Sequence, residues 1–446
     1  EHNVPTIVML TNIMEEGKAK CSQYWPSGSG TLQYGGLLVK VETTIILPDH
    51  TIRSLTVTSP SGDTRTVLHF HYTNWHDYGT PTHLAPLINF VRVVNQSHVV
   101  HGPLLVHCSA GVGRTGTVIA IDYCMKQIHM EGEVDVKGVV SVLREQRNFM
   151  VQTEQQFTCI HYVLLEAIMC GDTSYMISDF SAEYPNLQLK DTSTGRSLVE
   201  EEFKKLNSIK TMISKSSFIS KVKATSPGGA LDQEYHEYHA YFVKGYLNTQ
   251  QFIVADGPCV DTIEHFWQML VNNGCSNIIT LTPSDVGVDP YWPPCNQMMS
   301  LTNISVEVVE EQPEHMYNVR KIMLTNRTGS THLVMQYEYI GWTAEKMTDV
   351  SGFVQFVFDV ARRIDEGNYT NNAILVHDTT SLGPSGIFCA LWHCMERLRL
   401  ERVVDVFQAV QKLQLQKPGM VESVKQYAFI YDCVHEFINI TTSTTV

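Results

Sequence analysis

Short apolar runs alternate along the chain with segments of helical periodicity. Leu104–His107 is a run of the length and composition of a buried strand, and a glycine-containing turn follows it. Residues 115–130 then repeat apolar positions at helical spacing. These positions share one face: Val118, Ile121, Met125 and Ile128. A strand, a turn and a helix in that order predict an α/β domain.

The same pattern occurs twice. Three short motifs return in the same order: Tyr24-Trp25-Pro26 as Tyr291-Trp292-Pro293, Val106-His107-Cys108 as Val376-His377-Asp378, and Met150-Val151-Gln152 as Met420-Val421-Glu422. Trp25 precedes Cys108 by 83 residues, and Trp292 precedes Asp378 by 86. Equal order and near-equal spacing over such a distance indicate two duplicated domains.

A polar stretch rich in Asp, Thr, Ser and Gly lies between the two copies and has the composition of a linker. We therefore predict a first domain at 1–172, a linker at 173–197 and a second domain at 198–441. The first copy has nothing that matches residues 198–271 of the second. We expect it to lack its N-terminal part, either as a fragment of a longer protein or as a shortened domain.

Composition and charge narrow the classes of function. A hydrophobic content of 43% and a charged content of 17% are those of a soluble globular protein. A formal net charge of −14 argues against nucleic acid as a partner, because binding its backbone needs clustered Lys and Arg. The 11 cysteines show no C-x-x-C spacing and fit reduced thiols in the cytosol. No signal peptide or membrane-spanning run occurs, so we expect any membrane anchor to lie outside this sequence.

The turn after the first predicted strand has the pattern H-C-x-x-G-x-x-R-T, from His107 to Thr115. Glycines at 111 and 113 allow the backbone to curl, so that several N–H groups point inward and bind an anion such as phosphate. The residues expected to line this cradle are Ser109, Ala110, Gly111, Val112 and Gly113. The positive end of the following helix adds to the attraction.

The cradle also contains a nucleophile. Arg114 offers a planar fork for two phosphoryl oxygens, and the positive field favours the thiolate form of Cys108. Thr115 can place a hydroxyl near that sulfur. A buried cysteine in a glycine-rich turn is the plain alternative, but it does not explain why these residues occur together. A thiol of low pKa is also expected to be oxidised by mild peroxide while the other cysteines are not.

These residues resemble the signature of the cysteine-dependent protein tyrosine phosphatases. Four further segments are similar to family motifs and occur in the family's order: residues 20–26, 75–77, 146–147 and 151–156. The tandem arrangement resembles receptor-type members, and Asp378 resembles the gamma and zeta subtypes. The resemblance implies two tandem domains, each a twisted mixed sheet flanked by helices. It places them in the cytoplasmic part of a single-pass plasma-membrane receptor whose transmembrane segment is not in this sequence.

The resemblance assigns the chemistry of the first domain. Cys108 would form a phosphocysteine intermediate, and Asp77 would be the general acid that protonates the leaving phenolate. Taken alone, Asp77 fits a solvated loop equally well. The family usually has Pro before this Asp, whereas His76 stands here. Since His leaves more backbone freedom than Pro, we expect a less favourable closed loop and slower formation of the intermediate.

Other residues receive supporting roles from the resemblance. Gln152 and Gln156 would orient the water that hydrolyses the intermediate, although such a pair is by itself usually a solvated helix face. Glu15 would pair with the signature arginine, Trp75 would pack the hinge of the acid loop, and His107 would tune the end of the strand. The family's substrate-stacking Tyr has no counterpart in this chain, so the preference for phosphotyrosine rests on the resemblance.

The second copy has lost these residues. Asp378 stands at the nucleophile position and Pro384 at the arginine position. Ala344 replaces the general acid, beside Glu345, and Glu422 replaces Gln152. We predict an inactive second domain that stabilises the protein or binds partners, with binding of another ligand as the alternative. Regulation of the first domain, through contacts between domains or a homodimer, is a hypothesis that the family suggests.

The leading hypothesis is therefore a protein tyrosine phosphatase acting on phosphotyrosine-containing proteins. It needs no cofactor or metal, because the cradle and Arg114 supply the positive charge. A pseudophosphatase that binds phosphotyrosine or partner proteins without turnover is the main alternative, favoured by His76. A shallow-pocket phosphatase for phosphoserine or lipids fits the signature alone, and the surrounding motifs disfavour it.

Overall fold

A computed structural model describes residues 2–28, 30–75, 79–81, 83–98, 102–215, 240–247, 251–282, 290–343, 349–367 and 373–443. The chain divides into two compact units, Glu1–Asp172 and Thr173–Val446. Each unit is a mixed β-sheet flanked by helices, which confirms the predicted α/β class. Within the described ranges, no helix combines the length and the apolar character needed to cross a bilayer.

The first unit contains eight strands and four helices among its described residues. The strands are β1 (Thr6–Met9), β2 (Met14–Glu15), β3 (Lys18–Ala19), β4 (Thr31–Tyr34), β5 (Leu37–Ile46), β6 (His50–Thr58), β7 (Thr64–Tyr72) and β8 (Leu104–His107). The helices are α1 (Ala85–Ser97), α2 (Gly113–Glu131), α3 (Val136–Gln146) and α4 (Glu154–Cys170). The main sheet has the order β4-β5-β6-β7-β1-β8.

Parallel pairing in this sheet decides where the site forms. Strand β1 runs parallel to both β7 and β8, so Met9 lies opposite His71 on one side and His107 on the other. The carboxyl ends of the three strands therefore meet at one edge, as in other α/β folds. The predicted strand Leu104–His107 is present. The predicted helix begins at Gly113 and buries Val118 and Ile121 as expected.

The second unit contains the remaining described elements. Its strands are β9 (Tyr175–Met176), β10 (Ala240–Lys244), β11 (Gln251–Asp256), β12 (Asn277–Thr280), β13 (Met298–Ser300), β14 (Ile304–Pro313), β15 (Tyr317–Asn326), β16 (Thr331–Tyr339), β17 (Ile374–Asp378) and β18 (Val403–Val404). Its helices are α5 (Ile177–Gln188), α6 (Leu198–Lys215), α7 (Ile263–Asn272), α8 (Val350–Glu366), α9 (Pro384–Glu401), α10 (Val406–Gln416) and α11 (Val424–Ser443).

The second sheet repeats the first and adds two strands. Its order is β10-β11-β17-β12-β16-β15-β14-β13, so its last six strands match β8, β1, β7, β6, β5 and β4 in turn. The added strands β10 and β11 belong to the segment for which the sequence predicts no counterpart in the first copy. Strand β17 is therefore buried on both sides, whereas β8 is the last strand in the described part of the first sheet.

The segment predicted as a linker is structured, which differs from the prediction. Helix α5 occupies 12 of these 25 residues and buries Phe180 and Leu187 in the second unit. Phe180 stacks on Tyr431 of α11, with ring centroids 6.3 Å apart. The polar composition concealed this helix because few side chains attach it to the core: Phe180 and Leu187 are buried, and Tyr184 stacks on His435.

Candidate active site

Cys108 lies between the end of β8 and the start of α2. Its neighbours in the loop are held by the sheet, since the backbone N–H of Leu10 donates to the carbonyl of His107 at 2.8 Å. Gly111 has a φ of +69°, a conformation that side chains with a β-carbon rarely adopt. The backbone N–H of Gly111 consequently points at the Cys108 sulfur, 3.3 Å away. The loop therefore curls around the Cys108 sulfur, and anion binding by the predicted cradle stays a prediction.

Burial and hydrogen bonding act on the Cys108 thiol in opposite directions. Burial works to raise its pKa because a charged sulfur is poorly solvated there. The hydroxyl and backbone N–H of Thr115, with the backbone N–H groups of Gly111 and Val112, outweigh burial. The net pKa lies below the usual value of the thiol, as the sequence predicts. These hydrogen bonds favour the thiolate form of the sulfur, and the nucleophilic role of Cys108 stays a prediction.

Arg114 is fixed by a bidentate ion pair. Its two terminal nitrogens each lie 2.7 Å from an oxygen of Glu15, and one of them also donates to the carbonyl of Leu10 at 3.1 Å. Glu15 accepts further bonds from the Thr11 hydroxyl and the backbone N–H of Asn12. Burial works to raise the pKa of Glu15, but Arg114 and these donors hold it below its usual range. The fork is thereby oriented before any ligand binds.

Arg147 is a site residue to which the sequence reasoning gave no role. Its Nε donates to the carbonyl of Gly111 at 3.0 Å, and its Nη2 donates to the carbonyl of Ala110 at 3.1 Å. The carbonyl and the N–H of one planar peptide group point in opposite directions. Because Arg147 holds these two carbonyls outward, the N–H groups of the same peptides point toward the cradle. The signal was present in the motif at 146–147, but a sequence does not show which carbonyls an arginine will reach.

The two predicted glutamines lie together against the loop but differ in their surroundings. A β-carbon on Gly113 would lie 3.0 Å from Gln156 Nε2 and 3.2 Å from Gln152 Oε1, so both amide groups pack closely against this glycine. Gln156 is buried, and its Oε1 accepts from the backbone N–H groups of Gln152 and Thr153 at the start of α4. Gln152 is exposed. Gln156 thus caps the helix, and the water-orienting role of the two glutamines stays a prediction.

Trp75 and His107 are both ordered. Trp75 is fully buried, and its indole N–H donates to the carbonyl of Gly79 at 3.0 Å, which ties together the two sides of the predicted acid loop. Asp77 and His76 lie outside the described residues, so their predicted roles stay predictions. His107 Nδ1 lies 3.0 Å from the carbonyl oxygen of Cys108, a contact that links the histidine to the loop.

The equivalent loop in the second unit surrounds a carboxyl group of the protein itself. Asp378 is buried, with one carboxylate oxygen 2.7 Å from the backbone nitrogen of Thr380 and the other 3.0 Å from that of Ser385. The N–H groups that would bind an external oxyanion are thus bonded to a side chain of the protein. Burial raises the pKa of Asp378 although these donors oppose the rise.

Other substitutions around that loop agree with this arrangement. Pro384 begins α9 at the arginine position and supplies no cation. Lys417, at the position of Arg147, is buried and donates to the carbonyl of Ser381 at 2.7 Å. The backbone N–H of Glu422 donates to Gln426 at 2.7 Å, as that of Gln152 does to Gln156. Ala344 and Glu345 lie outside the described residues.

Comparison with known proteins agrees with this geometry. A family model described as protein-tyrosine phosphatase matches residues 1–166 and 219–436, one stretch in each unit. The chain therefore belongs to the protein-tyrosine phosphatase family.

Its curated relatives define the subgroup. Human receptor-type tyrosine-protein phosphatase alpha is 33% identical over 98% of this chain, and the human epsilon relative is 33% identical over 99%. Human zeta, one of the subtypes that Asp378 resembles, is 30% identical over 98%. The chain is thus a receptor-type member with tandem domains. It spans 58% of the alpha relative, 67% of epsilon and 20% of zeta.

Proposed function

We propose that the first unit hydrolyses phosphotyrosine in proteins. The Cys108 thiolate attacks phosphorus, the bond to the tyrosine oxygen breaks, and Asp77 protonates the departing phenolate. A water held by Gln152 then attacks the phosphocysteine and gives up a proton to Asp77. Phosphate is released, and the Cys108 thiolate is restored. The observation that carries this proposal is that one loop contains a thiol of lowered pKa, a backbone N–H directed at its sulfur and an Arg114 already oriented by Glu15.

Arg114 and the loop act mainly on the transition state. In the transition state, the phosphoryl group being transferred directs its equatorial oxygens toward the loop N–H groups and the Arg114 guanidinium. Because Glu15 already holds the fork, little reorganisation is needed when the charge develops. Positive charge for this chemistry comes from the protein itself, so the mechanism requires no metal or other cofactor.

The second unit, in the same proposal, has no phosphatase activity. Its cradle N–H groups are bonded to Asp378, and Pro384 supplies no fork for phosphoryl oxygens. Its sheet is complete and its core is buried, which supports a stabilising or partner-binding role. Regulation through contacts between domains or through a homodimer, and a place in the cytoplasmic part of a membrane receptor, belong to this proposal as well.

The test is hydrolysis of p-nitrophenyl phosphate and of phosphotyrosyl, phosphoseryl and phosphoinositide substrates by the folded chain. We expect turnover of the phosphotyrosyl peptide, its loss in Cys108→Ser, and no change in Asp378→Asn. Binding of phosphotyrosine without turnover by the unaltered chain would instead establish a pseudophosphatase. A preference for phosphoserine or lipid would contradict the proposed substrate class.

A further inference from the structure

A chain of polar side chains runs behind the cradle from strand β6 to the nucleophile. Arg53 Nη1 lies 3.4 Å from His69 Nδ1, and His69 Nε2 lies 2.9 Å from the hydroxyl of Tyr24. That hydroxyl lies 2.7 Å from His107 Nε2, whose Nδ1 lies 3.0 Å from the carbonyl oxygen of Cys108. His69 is fully buried, so its contacts within the protein decide where its proton lies.

The Cys108 end of the chain sets one direction. A carbonyl oxygen only accepts, so His107 Nδ1 carries a proton and its Nε2 accepts from the Tyr24 hydroxyl. The single hydroxyl proton is then used, and the tyrosine oxygen accepts from His69. A doubly protonated His107 would place a second donor on this oxygen. Among the described residues, the sulfur of Met9, at 3.8 Å, would then be the hydroxyl's only acceptor.

The Arg53 end sets the same direction independently. A guanidinium only donates, so His69 Nδ1 accepts and Nε2 carries the proton that goes to Tyr24. Burial, with Arg53, His71 and His107 nearby, lowers the pKa of His69 to about 3, which keeps the ring neutral. Both arguments give the same arrangement at Tyr24: its hydroxyl accepts from His69 Nε2 and donates to His107 Nε2.

The second unit keeps this direction with a different residue. Gln336 takes the place of His69, and Arg320 takes the place of Arg53. Since Arg320 donates to Gln336 Oε1 at 3.4 Å, the amide Nε2 faces Tyr291 and donates to its hydroxyl oxygen at 2.8 Å. Tyr291 in turn lies 2.7 Å from His377 Nε2. A donor toward the tyrosine and an acceptor toward the arginine are therefore common to both copies.

We propose that His69, held by Arg53, is a positioning residue that directs the Tyr24 proton to His107 and thereby orients the peptide group after Cys108. The carbonyl of Cys108 and the N–H of Ser109 point in opposite directions from one planar peptide. A carbonyl held back by His107 thus turns that N–H toward the cradle. This inference rests on the proposed phosphatase function.

Two substitutions of His69 test whether the direction of its hydrogen bonds matters, or only the presence of a polar side chain at this position. His69→Gln, the residue of the second copy, keeps the donor and the acceptor, and we expect kcat/KM within about twofold of the unaltered chain. His69→Glu can only accept and takes the Tyr24 proton away from His107. It still offers Arg53 a partner, and we expect kcat/KM to fall about tenfold. In the same His69→Glu variant, the pH midpoint of Cys108 alkylation by iodoacetamide should rise.

A double variant tests whether the effect passes through Tyr24. Tyr24→Phe removes the hydroxyl, so His69→Glu should have little further effect in its presence. Full additivity of the two losses would overturn the proposal, as would equal losses in His69→Gln and His69→Glu. If the glutamate variant does not fold, His69→Gln and the following measurement decide.

Nitrogen NMR of the histidine-labelled chain reads the proton positions without any turnover. We expect the proton on Nε2 of His69 and on Nδ1 of His107, assigned by comparison with single His variants. The opposite tautomer at either ring would contradict the proposal even in a fully active enzyme. A chain without turnover but with these tautomers would contradict the proposed function and leave the positioning arrangement intact.

Discussion

Arg114 and Glu15 share two hydrogen bonds of 2.7 Å in the interior of the first unit. The residues are 99 apart in the chain, and both side chains are almost completely buried. A buried, bidentate pair fixes orientation as well as charge, and removing one partner leaves the other uncompensated.

Glu15→Gln tests this pair. We expect the free energy of unfolding of the first unit to fall by about 3 kcal/mol and kcat/KM to fall at least tenfold or so, because Arg114 loses its orientation. Urea unfolding and phosphatase assays measure the two effects. Glu16→Gln, one residue away and exposed, is the matched control and should change neither quantity. Equal behaviour of the two variants would contradict the role of Glu15.

The same pair predicts a pH dependence. The folded-state pKa of Glu15 lies below its unfolded value of about 4.3, so its stabilising contribution is fully present above that value. The contribution is lost as the pH falls through the lower folded-state pKa. Unfolding measured from neutral to acid pH should show a smaller acid destabilisation in Glu15→Gln than in the unaltered chain. An identical pH dependence in both would oppose this assignment.

Arg147→Met should weaken the cradle without removing any group that contacts substrate. With the carbonyls of Ala110 and Gly111 released, we expect the loop N–H groups to lose their alignment and kcat/KM to fall about tenfold. Lys137→Met also removes an exposed cation, at a position away from the loop, and serves as the control. The same modest change in both variants would point to loss of net positive charge.

Cysteine reactivity should separate two thiols from the rest. Cys108 and the exposed Cys259 both have a lowered pKa, Cys259 through hydrogen bonds with Thr262. Burial raises the pKa of Cys124 to about 11 and that of Cys159 to about 12. Peptide mass spectrometry after limited iodoacetamide should find Cys108 and Cys259 modified first. The expectation from sequence, that mild peroxide oxidises Cys108 and not the other cysteines, stays a prediction.

Inorganic phosphate distinguishes those two cysteines. It should protect Cys108, which lies in the anion cradle, and leave the rate at Cys259 unchanged. Protection of both would indicate a general effect of salt, and protection of neither would contradict anion binding at Cys108.

Asp378→Gly should empty the second cradle. We expect the second unit to lose about 2 kcal/mol of stability, because the N–H groups of Thr380 and Ser385 lose a buried acceptor. Phosphate should recover part of this loss by taking the place of the carboxylate. Thermal unfolding in phosphate against chloride measures it, in a Cys108→Ser, Arg114→Met background that removes the first cradle's response. A phosphate effect of equal size with Asp378 present would contradict the prediction.

Local patterns predicted the local parts of the site. The apolar run before His107, the glycines at 111 and 113 and the amphipathic helix after them specify a strand, a tight turn and a helix by backbone preference alone. The resemblance to the family predicted Glu15 as the partner of Arg114 and Gln152 as a residue that orients the hydrolytic water. Composition gave the wrong picture of residues 173–197, because two buried apolar side chains and one stacked tyrosine in a polar segment are enough to attach a helix when a complementary surface exists.

The sequence by itself determined the duplication, the α/β class, the cysteine predicted as nucleophile and the signature residues that the second copy lacks, since these follow from residue identity and spacing. Tertiary structure alone decided the direction of the hydrogen bonds from Arg53 through His69 and Tyr24 to His107. It also decided which carbonyls Arg147 contacts, and that Asp378 accepts from the backbone N–H groups of the second cradle. Each depends on which donors and acceptors come within about 3 Å once distant strands pair. A linear sequence does not contain that distance.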